Sequence, residues 1–244
     1  MNRDEALTRG AEAPPQVHSA TSGVSWMAPQ DADRGGTWMG ANADGVVACL
    51  LNAYLPGESL LPDTSGRFRS RGEIIPMLLE KGPVNDGLAW LREDFEPEAY
   101  PSFSLLVAAP EKTTSLNWRR QGKLEVQPVL SEWYIRSSSG WDSEDVARWR
   151  EEQFDKWLES GCDMVNGLPK FHLLQVEGEE DRSPLMRRDW SATRSVTQVS
   201  VDPIEGDVEM RYWPEPIPSS QRPASRLNLP LRVRRNQTLD AKAT

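Results

Sequence analysis

Arg3 and Asp4, opposite charges side by side and flanked by Asn2 and Glu5, are the residues of this chain best suited to chemistry. Neighbours on an extended strand point to opposite faces, so one of the pair is expected to enter a cleft while the other braces the scaffold. His18 and His172 are the only histidines and lie too far apart for a local metal motif, so no metal site is expected. His18 lies in the early loop and His172 near an expected strand start, in Phe171-His172-Leu173. The chain has no nucleophile elbow G-x-S-x-G, no phosphate-binding loop, no G-x-G-x-x-G, no C-x-x-C and no H-E-x-x-H, so the common local signatures of catalysis are absent.

Positioning these residues requires a core, and 244 residues suffice for one sizeable domain. That domain is expected over residues 1–215, followed by a disordered basic tail over 216–244. Hydrophobic content of 38% is low, but ten Trp add apolar area either as core filler or as a cleft lining. The net charge of −9 is uneven: residues 217–244 hold six Lys or Arg and one Asp, +5, which leaves −14 on the remainder. An acidic body disfavours nucleic acid as a partner. Cys49 and Cys162, the only cysteines, read as reduced thiols rather than a disulfide framework. No apolar run reaches the roughly 18 residues of a membrane span, and no basic and apolar leader is visible, so the expected location is the cytoplasm.

Residues 6–34, rich in Ala, Pro, Ser and Asp, predict an extended surface loop. Gly45 to Leu51 predicts a buried strand entered by a turn at Asp44-Gly45. Ser70 and Glu73 have capping-box spacing ahead of a helix to Glu80, and a second helix is expected over Val84 to Glu93. Phe103 to Ala109, a hairpin around Gln121-Gly122 and Glu132 to Arg136 predict further strands. Asp142 or Ser143 is expected to cap a helix with Val146, Trp149, Phe154, Trp157 and Leu158 on one face and Gly161 at its end. Thr193 to Val201 and Val208 to Trp213 predict a closing hairpin. Strands grouped apart from helices argue for α+β layering.

Read in order, Asn2-Arg3-Asp4-Glu5, Gly36-Thr37-Trp38-Met39-Gly40, Leu50-Leu51-Asn52, Ser70-Arg71-Gly72, the Ser137 to Trp141 stretch with Arg148, and Ser183 to Asp189 with Thr193 to Val199 resemble the NRDE family. This is the family of the transport and Golgi organisation protein 2, and the resemblance covers about residues 2–214. It implies an Ntn-hydrolase-like αββα sandwich. In such a sandwich a Cys, Ser or Thr directly after the initiator Met is the nucleophile and its α-amine the base. Here Asn2 follows Met1, so the first inner strand is expected to be missing, through a truncated start or lost chemistry. The resemblance further implies catalytic positions at Arg3, orienting an acyl or carboxylate group, and Asp4, holding the amine. Asn2, Glu5, Trp38, Asn52, His172 and Arg188 are the expected binding residues, with the Asn52 amide, under the same resemblance, donating to a developing oxyanion. Two functions stay open. One is handling of a lipophilic small molecule, with haem or acyl-CoA as cargo rather than resident cofactor. The other is an amidohydrolase acting on non-peptide carbon-nitrogen bonds, which needs an upstream N-terminal Cys.

Overall fold

A computed structural model describes residues 1–54, 66–120, 122–140, 142–161, 163–215, 217 and 222–232. Among the described residues, eleven strands form two antiparallel sheets. The smaller has the order β1 (Asn2–Ala6), β9 (Ser191–Asp202), β10 (Asp207–Pro214), β11 (Ser225–Pro230). The larger runs in sequence order: β2 (Ala13–Ser19), β3 (Ser25–Gln30), β4 (Met39–Asn42), β5 (Val47–Asn52), β6 (Phe103–Ala109), β7 (Lys112–Trp118) and β8 (Glu125–Val129). Helices α1 (Ile74–Leu79) and α2 (Val84–Glu93) cover one face of the large sheet. Helices α3 (Ser143–Glu159) and α4 (Met164–His172) lie on the outer face of the small one, so the layering is α, β, β, α.

Period-two patterning builds these layers. Phe103, Leu105 and Val107 on β6, with Leu116 and Trp118 on β7, turn toward α1 and α2 and pack on Ile74, Leu78, Leu88 and Leu91. A second apolar cluster sits between the sheets, where Met27, Ala41 and Ala43 meet Val208, Met210 and Leu229. The small sheet faces only part of the large one: β9, β10 and β11 lie against β2, β3 and β4.

Two polar devices tie the helices to the large sheet. Asn42, fully buried, donates to Leu79 O and Gly82 O at 2.8 Å each and accepts from Asp44 N and Val46 N. It closes the end of α1 and the β4–β5 turn together, using all of its hydrogen-bonding capacity. Gly36 and Gly72 meet backbone to backbone, and a Cβ on Gly36 would lie 2.8 Å from Gly72 Cα. Thr37 N donates to Gly72 O across the same contact (3.0 Å).

Several expectations are corrected. Residues 6–34 are not a loop, because Gln16 to Ser19 pair with Ser25 to Ala28 as β2 and β3, and sheet pairing overrides the Pro14-Pro15 signal. Glu132 to Arg136 is irregular and has no partner strand among the described residues. The stretch after Pro214 contains β11, whose Leu229 pairs with Val208, so its low hydrophobicity hid an edge strand. Asp142 precedes α3 with φ 41° and makes no side-chain cap. Ser70 Oγ accepts from Gly72 N as expected, but Glu73 pairs with Arg69 instead of reaching back. Asn2 to Glu5 lie in β1, at the edge of the small sheet. Pro56, Gly57, Pro62, Gln121, Trp141 and Cys162 lie outside the described residues.

Candidate functional site

The strand β1 distributes its charges as the alternation requires, with Arg3 toward the large sheet and Asn2 and Asp4 toward α3 and α4. Opposite them the ladder steps from Arg3↔Ser195 to Asp4↔Thr193, which makes Arg194 the extra residue of a β-bulge. The bulge lets Ser195 share the inner face with Arg3 while Thr193 shares the outer face with Asp4.

Arg3, 8% exposed, is held on every side. Its guanidinium lies 2.8 Å from Glu12, 3.2 Å from Asp31 and 3.5 Å from Glu5, and 4.6 Å from the centre of the Trp38 ring. Tyr212 donates its hydroxyl to Glu12 (2.6 Å). Burial first, then that bond to Glu12, push the Tyr212 phenol far above its ordinary range. Arg9 also pairs with Asp31, at 2.5 Å. Three carboxylates thus meet this one cation. In the same layer the buried Trp38 Nε1 and Thr197 Oγ1 have no hydrogen-bond partner among the described residues.

On the outer face Asn2 donates to His172 O (2.9 Å) and Pro184 O (2.5 Å). Its Oδ1 therefore faces His172 Nδ1, 2.5 Å away, which fixes the proton on that nitrogen. Burial first, then the positive charges of the Met1 amine and Arg150, hold His172 well below 6.5 and neutral. Asp4 accepts from Thr193 Oγ1 (2.6 Å) and pairs with Arg150 (3.3 Å). Arg150, 7% exposed, also donates to Arg182 O (3.0 Å) and Ser183 O (2.9 Å). Sequence reasoning passed over Arg150, although a lone cation in the apolar stripe of Val146, Phe154 and Trp157 was the available signal.

Arg188 donates to Asp181 O (2.8 Å) and Ser139 Oγ (3.3 Å), and desolvation lowers its pKa against the opposing pull of Asp4. It borders a cavity of about 250 Å³ at the end of β1, whose wall is Leu7, Arg187, Arg188, Asp189, Ala192 and Glu215. Leu7 N donates to Trp190 O, and the two residues are 44% and 58% exposed. Glu215 is paired with Arg194 (2.5 Å).

The expected site residues thus divide into groups. Arg3, Glu5 and Trp38 join between the sheets, Asn2, Asp4 and His172 join under α3 and α4, and Arg188 reaches the cavity. Asn52 joins none of these; it donates to Tyr54 Oη (3.1 Å), and its carbonyl accepts from Ser138 Oγ. Cys49 faces the inter-sheet side of β5, and burial raises its thiol to about 11. Among the described residues no cluster of His, Cys, Asp and Glu could hold a metal ion, and no helix is long and apolar enough to cross a membrane.

Fold and site together define a four-layer αββα protein whose motif strand is bound into polar clusters on both faces. The model of the Transport and Golgi organisation 2 family matches residues 1–212, and the chain belongs to that family. It is similar to a Caenorhabditis elegans N-acylethanolamine-hydrolyzing acid amidase ortholog, at 11% identity and TM-score 0.47, over 64% of this chain and 72% of that one. It is also similar to penicillin V acylase from Agrobacterium tumefaciens, at 11% identity and TM-score 0.44, over 87% and 82% of the two chains. No curated protein matches it.

Proposed function

We propose that the protein binds an amphipathic anion, with a carboxylate or phosphate head and an apolar body such as haem or a fatty acyl-CoA, and carries it without breaking a bond. The cavity at the end of β1 supports this reading. Arg194 already neutralises Glu215, so Asp189 is the one remaining carboxylate on a wall that holds Arg187 and Arg188. Leu7 on that wall and Trp190, next in sequence to the wall residue Asp189, add exposed apolar surface. A cationic wall beside exposed apolar surface suits a ligand with a charged head and a flat or aliphatic body. About 250 Å³ takes the head group, and the body would lie across that apolar surface.

The amidohydrolase alternative, which needs an upstream N-terminal Cys as nucleophile, draws on the layer between the sheets, where Trp38 Nε1 is a buried donor without a partner among the described residues. A reacting carbonyl uses such a donor. One experiment separates the two: titration of the protein with palmitoyl-CoA and haemin, read by Trp fluorescence, beside incubation with an N-acyl amide read by mass spectrometry. Saturable binding weakened about tenfold by Arg187→Gln or Arg188→Gln supports carriage. Release of free amine without such binding supports hydrolysis and overturns it.

A further inference from the structure

We propose a second binding site, for a small oxyanion, in the groove between β7, β8 and the segment that follows β8. The groove encloses about 260 Å³. Its floor is the inner face of β7, where Ser115 and Asn117 point away from the core residues Leu116 and Trp118. Gln127 stands across the ladder from Ser115 and extends that floor onto β8. The small sheet packs mainly on β2, β3 and β4, and the roof of the groove is the irregular stretch from Ser131 to Arg136. Tyr134 Oη lies 3.4 Å from Ser115 Oγ, and Arg136 donates to Asn117 Oδ1 (3.3 Å).

The charge and donor pattern sets the ligand class. No carboxylate lines the groove, in a chain with 37 Asp and Glu against 28 Lys and Arg. Glu125, across from Asn117 on β8, is exposed and outside the lining. Arg136 has no carboxylate partner among the described residues. Asn117 Oδ1 is occupied by Ser104 Oγ (2.8 Å) and Arg136, so its NH₂ group is left to donate. The Gln127 amide and the Ser131 hydroxyl have no side-chain partner among the described residues either. One guanidinium, two amides and a hydroxyl around one space form a donor-rich, acid-free cradle, the arrangement that binds phosphate or carboxylate oxygens. Tyr134, 38% exposed, offers a ring edge to the rest of the ligand.

The test is heteronuclear NMR on the full chain, following the side-chain amides of Asn117 and Gln127 during titration with inorganic phosphate and, separately, benzoate. Saturable shifts of both amides are expected, with phosphate or benzoate the stronger according to the head group the site takes. Arg136→Gln is expected to weaken the response about tenfold. The near-isosteric Asn117→Asp, followed through the Gln127 amide alone, should abolish the shift with an unchanged thermal midpoint. Arg188→Gln should leave it unaltered. Unmoved amides at about 20 mM of either anion, far above a useful Kd, overturn the proposal, as does an undiminished response in Arg136→Gln. Loss in Arg188→Gln alone would place the anion in the other cavity and sink this inference while sparing the proposed function.

Discussion

Asp4 and Arg150 show how a motif residue comes to serve the scaffold. Asp4 is answered by Arg150 and Thr193, and Arg150 in turn satisfies two carbonyls of the 182–183 turn. Removing one partner leaves the other charge enclosed, which costs about 3–5 kcal/mol in buried pairs. Asp4 is only partly buried, so Arg150→Leu is expected at the lower end, about 3 kcal/mol, read as a fall in the urea midpoint. His172 adds a pH dependence. Its folded pKa lies well below 6.5, so the unfolded chain takes up the proton first. The stability it contributes is complete above about pH 6.5 and is lost as pH falls toward its folded pKa. Urea midpoints measured between pH 7 and 5.5 should decline more steeply in the parent protein than in His172→Gln.

At the scale of elements, the motif glycines act through packing. Gly36 precedes β4 and Gly72 begins the turn into α1, and their backbones touch. A methyl group at either position must push the two segments apart, so Gly72→Ala is expected to cost about 1–3 kcal/mol, the range of overpacking. Asn42→Ala should cost at least as much, because it strands carbonyls at the end of α1 and amides of the β4–β5 turn; each unsatisfied buried group costs about 1–3 kcal/mol. Thermal unfolding of the two variants checks both values. The long, strongly patterned elements were legible in the sequence: β6 spans Phe103–Ala109 and α2 spans Val84–Glu93, both as expected. β2 and β11 were not. Pro14, Pro15 and Pro230 broke their local pattern, and both are edge strands held by a single neighbour.

For the molecule as a whole, the layers decide which candidate residues meet. Sequence alternation placed Arg3 and Asp4 on opposite faces, but only the sheet order shows that Glu12, Asp31 and Tyr212 converge on one and Arg150 and Thr193 on the other. The cavity was equally hidden, because Leu7, Arg188 and Glu215 come from three distant stretches of chain. β11 completes the inter-sheet core through Leu229, 6% exposed. Deleting residues 223–244 should therefore lower stability by about 2–4 kcal/mol, the scale of one or two uncovered apolar side chains.

The most direct test of the proposed function is photolabelling with a diazirine-bearing fatty acyl-CoA, mapped by peptide mass spectrometry. Saturable labelling of the peptides carrying Leu7 and Trp190, competed by unmodified palmitoyl-CoA and lost in the Arg187→Gln, Arg188→Gln double variant, is the predicted result. Labelling spread over unrelated surfaces, or unchanged in the double variant, would contradict it.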